Sequence, residues 1–225
     1  RPPEFAEGFE FGRWHSRVRG APEVLGQVPV SCMAEEIATP GEGQIRGLIT
    51  IAGNPVLSAP DAGKLDAALP ALECMISVDN YLNETTRHAD VILPGLSPLE
   101  QPHYDELLWS WAIRNAGKYS APLFEPEEGR PHEWEILLTL AAIIQGQKAS
   151  EVDTGLLDDL YFGGLVALTT QKPDSPIAGR DPAEIVALES RRGPERILDF
   201  CIRTGPWGDG YGTSSEGLNL AKVEA

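Results

Sequence analysis

Two short, uninterrupted apolar runs constrain this chain more than anything else in it. Positions 47–52 read GLITIA and positions 74–79 read CMISVD. Neither shows the polar alternation of a half-solvated strand, so each suits a strand buried on both faces. Between them, APDAGKLDAALPAL reads as a short helix starting near Asp61, with Leu65 and Leu69 one turn apart. Strand, helix and strand in about twenty residues make a compact crossover, and such a crossover joins parallel strands. A third run, DVILPG at 90–95, follows NETTRHA, which suits one or two helical turns, and is stopped by Pro94. The expectation is an α/β fold, an open and mostly parallel sheet with flanking helices and extra helices towards the C-terminal end.

Ligands of open α/β sheets bind beyond the carboxyl ends of the strands. Here those ends carry Gly53, Asn54, Pro55, Asp79 and Pro94. By residue type Gly53-Asn54-Pro55 is an ordinary turn. Its place straight after an apolar run equally suits a strand end cleared for a ligand to approach the backbone. It is neither a GxGxxG fingerprint nor a Walker loop with its lysine. Asp79 suits a solvated strand terminus or a helix cap, or a carboxylate accepting two donors from a purine such as guanine.

The remainder is less periodic. HEWEILLTLAAIIQG is a helix with Trp134, Leu137, Leu138, Ala141 and Gln145 on one face and Ile136, Leu140 and Ile143 on the others. A helix apolar nearly all round is expected to be buried, and Gly146 ends it. Further helices are expected over 152–161, 182–188 and 194–203, the last two opened by Pro182 and Pro194. YDELLWSWAIRNAGKYSAPLF holds strands or loops, with Trp109 and Trp111 on a strand face or in a hairpin. The expected organisation is a leading segment with a short helix over 1–44, an α/β domain over 45–146, a helical extension over 147–204, and a glycine-rich tail or linker over 205–225 that lacks a packing pattern.

Charge and cysteine usage exclude several classes. A net charge of −16 repels phosphate backbones and anionic membrane surfaces, so neither nucleic acid nor membrane is an expected partner. Cys32, Cys74 and Cys201 stand far apart without a CxxC pair, which excludes a zinc knuckle or iron–sulfur site built from this chain. Sparse cysteines fit a reducing, cytoplasmic setting, and Cys74 and Cys201 read as core residues because they sit in apolar runs. His88, His103 and His132 lack metal-ligand spacing, and Ser97, Ser110 and Cys201 lack a nucleophile-elbow context. No metal ligand and no catalytic side chain is expected. The run at 136–144 is too short to span a bilayer. The chain begins with Arg1 rather than Met, and is expected to be an internal piece of a longer protein.

The window IRGLITIAGNPVLSAPDAGKLDAALPALECMISVDNYLNETTRHADVILPGLSPLEQ, followed by HEWEI, resembles the molybdopterin oxidoreductases, the group of dimethyl sulfoxide reductase, formate dehydrogenase and respiratory nitrate reductase. The family pattern there is a strand ending in Gly-Asn-Pro, a helix, a strand ending in Asp, then Thr-Glu-Thr, Ala-Asp-Val-Val-Leu-Pro and Glu-Lys. The resemblance covers roughly residues 44–146 and implies a Rossmann-like domain holding molybdopterin guanine dinucleotide (Mo-bis-MGD). By it, Asn54, flanked by Gly53 and Pro55, matches the loop asparagine that contacts the cofactor. Val78 and Asp79 match the pair that contacts the nucleotide, and Gln101 falls where many members carry a cofactor-contacting lysine. His132 falls near a position that is often aspartate. Asn83-Glu84-Thr85-Thr86 replaces Thr-Glu-Thr-Ala, and Glu100-Gln101-Pro102-His103 replaces Glu-Lys-x-Gly, removing a positive charge.

The resemblance further implies that a 4Fe–4S cluster, the protein ligand of molybdenum and a closing barrel domain belong to other parts of the polypeptide. The expected function is that of a fragment of a molybdenum-dependent oxidoreductase that positions the cofactor. Its partners would be the remaining domains and electron-transfer subunits, and the piece alone would be cofactor-free and inactive. The alternatives are a non-catalytic scaffold domain like that of a respiratory complex I large subunit, and a free-standing α/β binding module.

Overall fold

The structure, a computed structural model, describes residues 11–105, 108, 111–114 and 116–225; Trp109 and Ser110 lie outside them. The chain divides into two compact units at Gly95/Leu96. In the first, β1 (Phe11–His15) and β2 (Pro22–Val24) form an antiparallel hairpin. The buried Glu23 closes it, accepting from Arg13 at 2.6 Å and from the Gly26 N–H. Those two bonds hold its carboxyl down at about 2. The leading segment lacks a hydrophobic period because this ribbon is held by an ion pair, with Phe11, Trp14 and Val24 exposed.

After α1 (Met33–Ala38) comes a three-stranded parallel sheet in the order β3 (Gly47–Ile51), β4 (Cys74–Val78), β5 (Val91–Leu93). Ile51 pairs with Val78, and Val78 with Leu93. The first crossover contains α2 (Pro55–Ser58), α3 (Ala62–Ala68) and a 3-10 turn at Leu69–Ala71. The second contains only a 3-10 turn, Thr86–His88. The core is Ile37, Val56, Leu65, Ala68, Leu69 and Met75, with Leu48 packed against it.

One expectation fails here. The sheet is not covered on both faces: Ile49 is 36%, Ile51 51% and Val91 46% exposed. Strand order advances in one direction, so right-handed crossovers lay both connections on the same face. Cys74 is exposed rather than core, because it opens β4 on the uncovered face, whereas Cys32 is buried.

In the second unit, β6 (His103–Tyr104) and β7 (Tyr119–Ser120) pair antiparallel. Its helices include α4 (Glu133–Ile144), α5 (Thr154–Thr170), α6 (Pro182–Leu188), α7 (Gly193–Thr204) and α8 (Leu220–Glu224). Asp153 and Asp181 cap α5 and α6 by accepting from Leu156 N–H and Ala183 N–H. Past α4, Gly146 takes φ +93°, and Gln147 N–H reaches the Ala142 carbonyl at 3.1 Å, a Schellman stop.

Three further expectations are corrected. The α4 helix is not buried all round: Ile136 and Leu140 are covered while Ile144 is 71% exposed. The α5 helix runs to Thr170, through Gly163-Gly164, because Phe162 and Val166 anchor it in the core. Residues 205–225 pack: Tyr211 joins the cluster of Phe162, Val166, Ile177, Ile185 and Phe200, and Leu220 is buried. Cys201, another expected core residue, is half-buried.

The second core is crossed by charge. Arg196 lies 5.0 Å over the Phe162 ring and bonds Asp158 at 3.1 Å and Asp159 at 2.7 Å. Gly193, at φ +58°, has no room for a side chain, since a Cβ there would lie 2.7 Å from the Trp134 ring.

Candidate functional site at a strand edge

Parallel pairing of β3 with β4 carries Gly53-Asn54-Pro55 and Asp79 out at the same, carboxyl edge of the sheet. Val78 is the buried last residue of β4, and Asp79 follows it, half-buried. Ala52 N–H donates to the Val78 carbonyl at 2.9 Å, extending the ladder one step beyond β3. Pro55 opens α2, where a missing N–H costs nothing.

Gly53 is not required by its own backbone, whose φ lies outside the left-handed region. A Cβ there would meet only the Ile51 carbonyl at 3.5 Å and Pro55 Cδ at 4.0 Å, which is ordinary contact. Its bare backbone, half-buried beside Asn54, leaves space at the edge.

The side chains at this edge form one network. Asp79 Oδ1 accepts from Tyr81 N–H at 2.9 Å, and its Oδ2 from Asn83 Nδ2 at 3.4 Å. Asn83 Oδ1 accepts from Thr85 N–H and Thr86 N–H, each at 2.9 Å. Thr85 Oγ1 donates to Asn54 Oδ1 at 2.7 Å and accepts from Val56 N–H at 3.0 Å. Asn54 Nδ2 donates to Glu84 Oε2 at 2.7 Å, a bond that holds the Glu84 carboxyl below its usual range. A carboxylate has about four lone-pair sites, so Asp79 keeps acceptor capacity beyond these bonds. Tyr81 and Leu82, next along, are 76% and 77% exposed.

Thus the structure brings Gly53, Asn54, Pro55, Val78 and Asp79 together. Gln101 stands in the second unit, half-buried in a bend after Glu100. Glu100 accepts from Ser97 N–H at 2.8 Å and from Arg130 at 3.3 Å, so a guanidinium stands beside this stretch although position 101 lacks a cation. His132 opens α4, its backbone N–H donating to Glu135 at 2.8 Å. From sequence, no site role falls to Asn83, Glu84 or Thr85, of which Glu84 and Thr85 match the family's Thr-Glu-Thr and Asn83 departs from it. Their signal was residue type: short hydroxyl, amide and carboxyl groups that bond nearby backbone, directly after a strand-end aspartate.

The sequence pattern of molybdopterin oxidoreductases matches residues 10–142, more than half of the chain. This chain belongs to the molybdopterin oxidoreductase family. It is 34% identical over 104 residues to the assimilatory nitrate reductase catalytic subunit of Bacillus subtilis, covering 46% of this chain and 14% of that protein. It is 32% identical over 105 residues to the F420-dependent formate dehydrogenase 1 subunit alpha of Methanococcus maripaludis, covering 47% and 15%. It is 24% identical over 177 residues to the probable oxidoreductase YyaE of B. subtilis, covering 78% and 23%. The chain therefore spans between 14% and 23% of these relatives' lengths.

Family membership implies a molybdenum–pterin cofactor. The strand edge fits part of such a group: side-chain-free backbone at Gly53, an amide at Asn54 with a second N–H, and a carboxylate at Asp79 with acceptor capacity left. Among the described residues no group of three or more His, Cys, Asp or Glu is arranged to hold a metal ion. Nor is any helix among them long and apolar enough to cross a membrane.

Proposed function

We propose that this chain is part of a molybdenum-dependent oxidoreductase and that its strand edge binds the guanine dinucleotide form of the cofactor. The observation that carries the reading is the shared edge, where Asn54 and Asp79 leave neighbouring parallel strands and are joined through Asn83 and Thr85. When bound, the molybdenum–pterin group supplies two-electron redox chemistry. The protein's part is positioning. Gly53 and Pro55 keep the edge low, Asn54 offers an amide N–H, and Asp79 accepts from the donor pair of guanine while Val78 anchors it to the sheet. Gln101 is a further contact by family pattern, without the charge of a lysine. The remaining domains of the polypeptide and electron-transfer subunits are the partners, with a 4Fe–4S cluster held outside this chain.

Asp79→Asn tests the reading in the full-length protein. An amide presents one acceptor atom where the carboxylate presents two, and losing a charged hydrogen bond costs about 1.5–3 kcal/mol. The mutant should release molybdenum and guanosine monophosphate in lower amounts than the parent when cofactor is limiting. Equal release would overturn the assignment. A cofactor-free parent at saturating cofactor supply would favour a scaffold role, which the internally bonded Asn54–Thr85 network also suits.

A further inference from the structure

Thr85 is fully buried at the strand edge, and its hydroxyl has a single proton to give. Val56 N–H, 3.0 Å away, can only donate, so the hydroxyl accepts there and spends its proton on Asn54, 2.7 Å away. Asn54 must therefore turn its carbonyl oxygen towards Thr85. Independently, the Glu84 carboxylate 2.7 Å from the other end of the amide can only accept, which demands that the amide nitrogen face it. Two separate constraints thus select the same orientation of a group whose oxygen and nitrogen are otherwise interchangeable in shape. One N–H of Asn54 is used on Glu84, and one is left. Asn54 is half-buried, so part of the residue meets solvent.

We infer that Thr85 is a positioning residue that holds Asn54 as a hydrogen-bond donor, presented to an acceptor oxygen of the dinucleotide. This rests on the reading that the strand edge binds that cofactor. The coupling spans 31 residues of sequence, from the loop after β3 to the loop after β4. The hydroxyl thereby ties the two halves of the site into one rigid edge, and a rigid donor loses less freedom when it meets its acceptor.

The test measures cofactor release from the loaded full-length protein, read as pterin fluorescence over time, beside the melting temperature of each variant. Thr85→Val keeps the shape and removes both hydroxyl bonds; release should quicken about tenfold, the equivalent of one hydrogen bond. Thr85→Ser restores the hydroxyl and should stay within about twofold of the parent. Asn54→Asp keeps an oxygen for Thr85 but has no proton to give, and should release cofactor at least as fast as Asn54→Ala. If Asn54→Ala releases at the parent rate, the binding site itself is wrong. If Asn54→Ala quickens release and Thr85→Val does not, the site stands and the positioning role falls. Parent-like release from Asn54→Asp overturns the donor assignment, and remains informative should Thr85→Val fail to fold.

Discussion

In the sheet unit the buried polar atoms are mostly neutral and pair over short distances: Thr50 with Ser77 at 2.8 Å, Thr85 with Asn54 at 2.7 Å. In the helical unit they are mostly charged. Arg196 binds Asp158, Arg203 makes two 2.9 Å bonds to Asp209 while lying 4.2 Å over the Tyr211 ring, and Glu189 is buried beside Asp199. Hydroxyls and amides lose little on leaving water once each finds a partner. Charges lose several kcal/mol each and regain it only while every partner stays in place. A neutral pair such as Thr85 with Asn54 therefore suits an edge that must hold a shape, whereas the charged core makes the helical unit sensitive to single changes and to pH.

The sharpest way to break this contrast is Arg196→Met. The side chain is 6% exposed, and its removal takes the nearest cation from the equally buried Asp158, which keeps the Gly193 N–H at 3.3 Å and the half-exposed Arg192 at 3.5 Å. Stability measured by urea unfolding should fall by about 3–5 kcal/mol. A loss below about 1 kcal/mol would mean that the charged core is no more demanding than the neutral one.

Glu189 supplies the next effect. Burial, then the neighbouring Asp199, raise its carboxyl from an ordinary 4.5 to about 7. Its Oε2 has no bonding partner while ionised, and a proton there lets it donate to Asp199. Asp199 meanwhile accepts from Leu220 N–H at 2.6 Å and stands 3.8 Å from Arg203. Arg191 N–H donates to Glu189 Oε1 at 2.8 Å, and the Tyr211 hydroxyl is pushed up by burial and by both carboxyls. Below 4.5 folded and unfolded chains both hold the proton, and between 4.5 and 7 only the folded chain does. Stability should therefore fall as pH rises through that window, by at most about 3 kcal/mol, and level off above it. Glu189→Gln should flatten this part of the curve; an unchanged slope would refute the shared proton.

Ser77→Ala gives the smallest change and sharpens the other side of the contrast. It leaves Thr50 without its partner and should cost about 1 kcal/mol. Thr50→Val with Ser77→Ala, which removes both groups, should return to within about 0.5 kcal/mol of the parent. Additive losses in a double-mutant cycle would show that the hydroxyls do not act as a pair.

Much of this was legible in sequence, for identifiable reasons. The sheet was readable because the three strands lie in unbroken apolar runs separated by short connections. The α6 helix was readable to its bounds because Asp181 and Pro182 mark its start. The length of α5 was not, since Gly163-Gly164 looks like a stop and only packing of Phe162 and Val166 overrides it. Residues 205–225 carry no period because they are held by point contacts: Asp209 with Arg203 and Asn219, Leu220 with Asp199. That Asn54 and Asp79 follow strand ends at one edge was readable, while the bond from Thr85 to Asn54 was not.

Local sequence alone determined the three strands of the parallel sheet, their crossover and therefore the edge at which Asn54 and Asp79 emerge, because strand direction and side-chain alternation follow from nearest-neighbour geometry. Tertiary structure decided which face of the sheet is covered, whether Cys74 and Ile144 meet solvent, and which way the Asn54 amide points. Those depend on partners tens of residues away, such as Thr85, whose hydroxyl can choose between donor and acceptor only after the chain has brought Val56 and Asn54 to it.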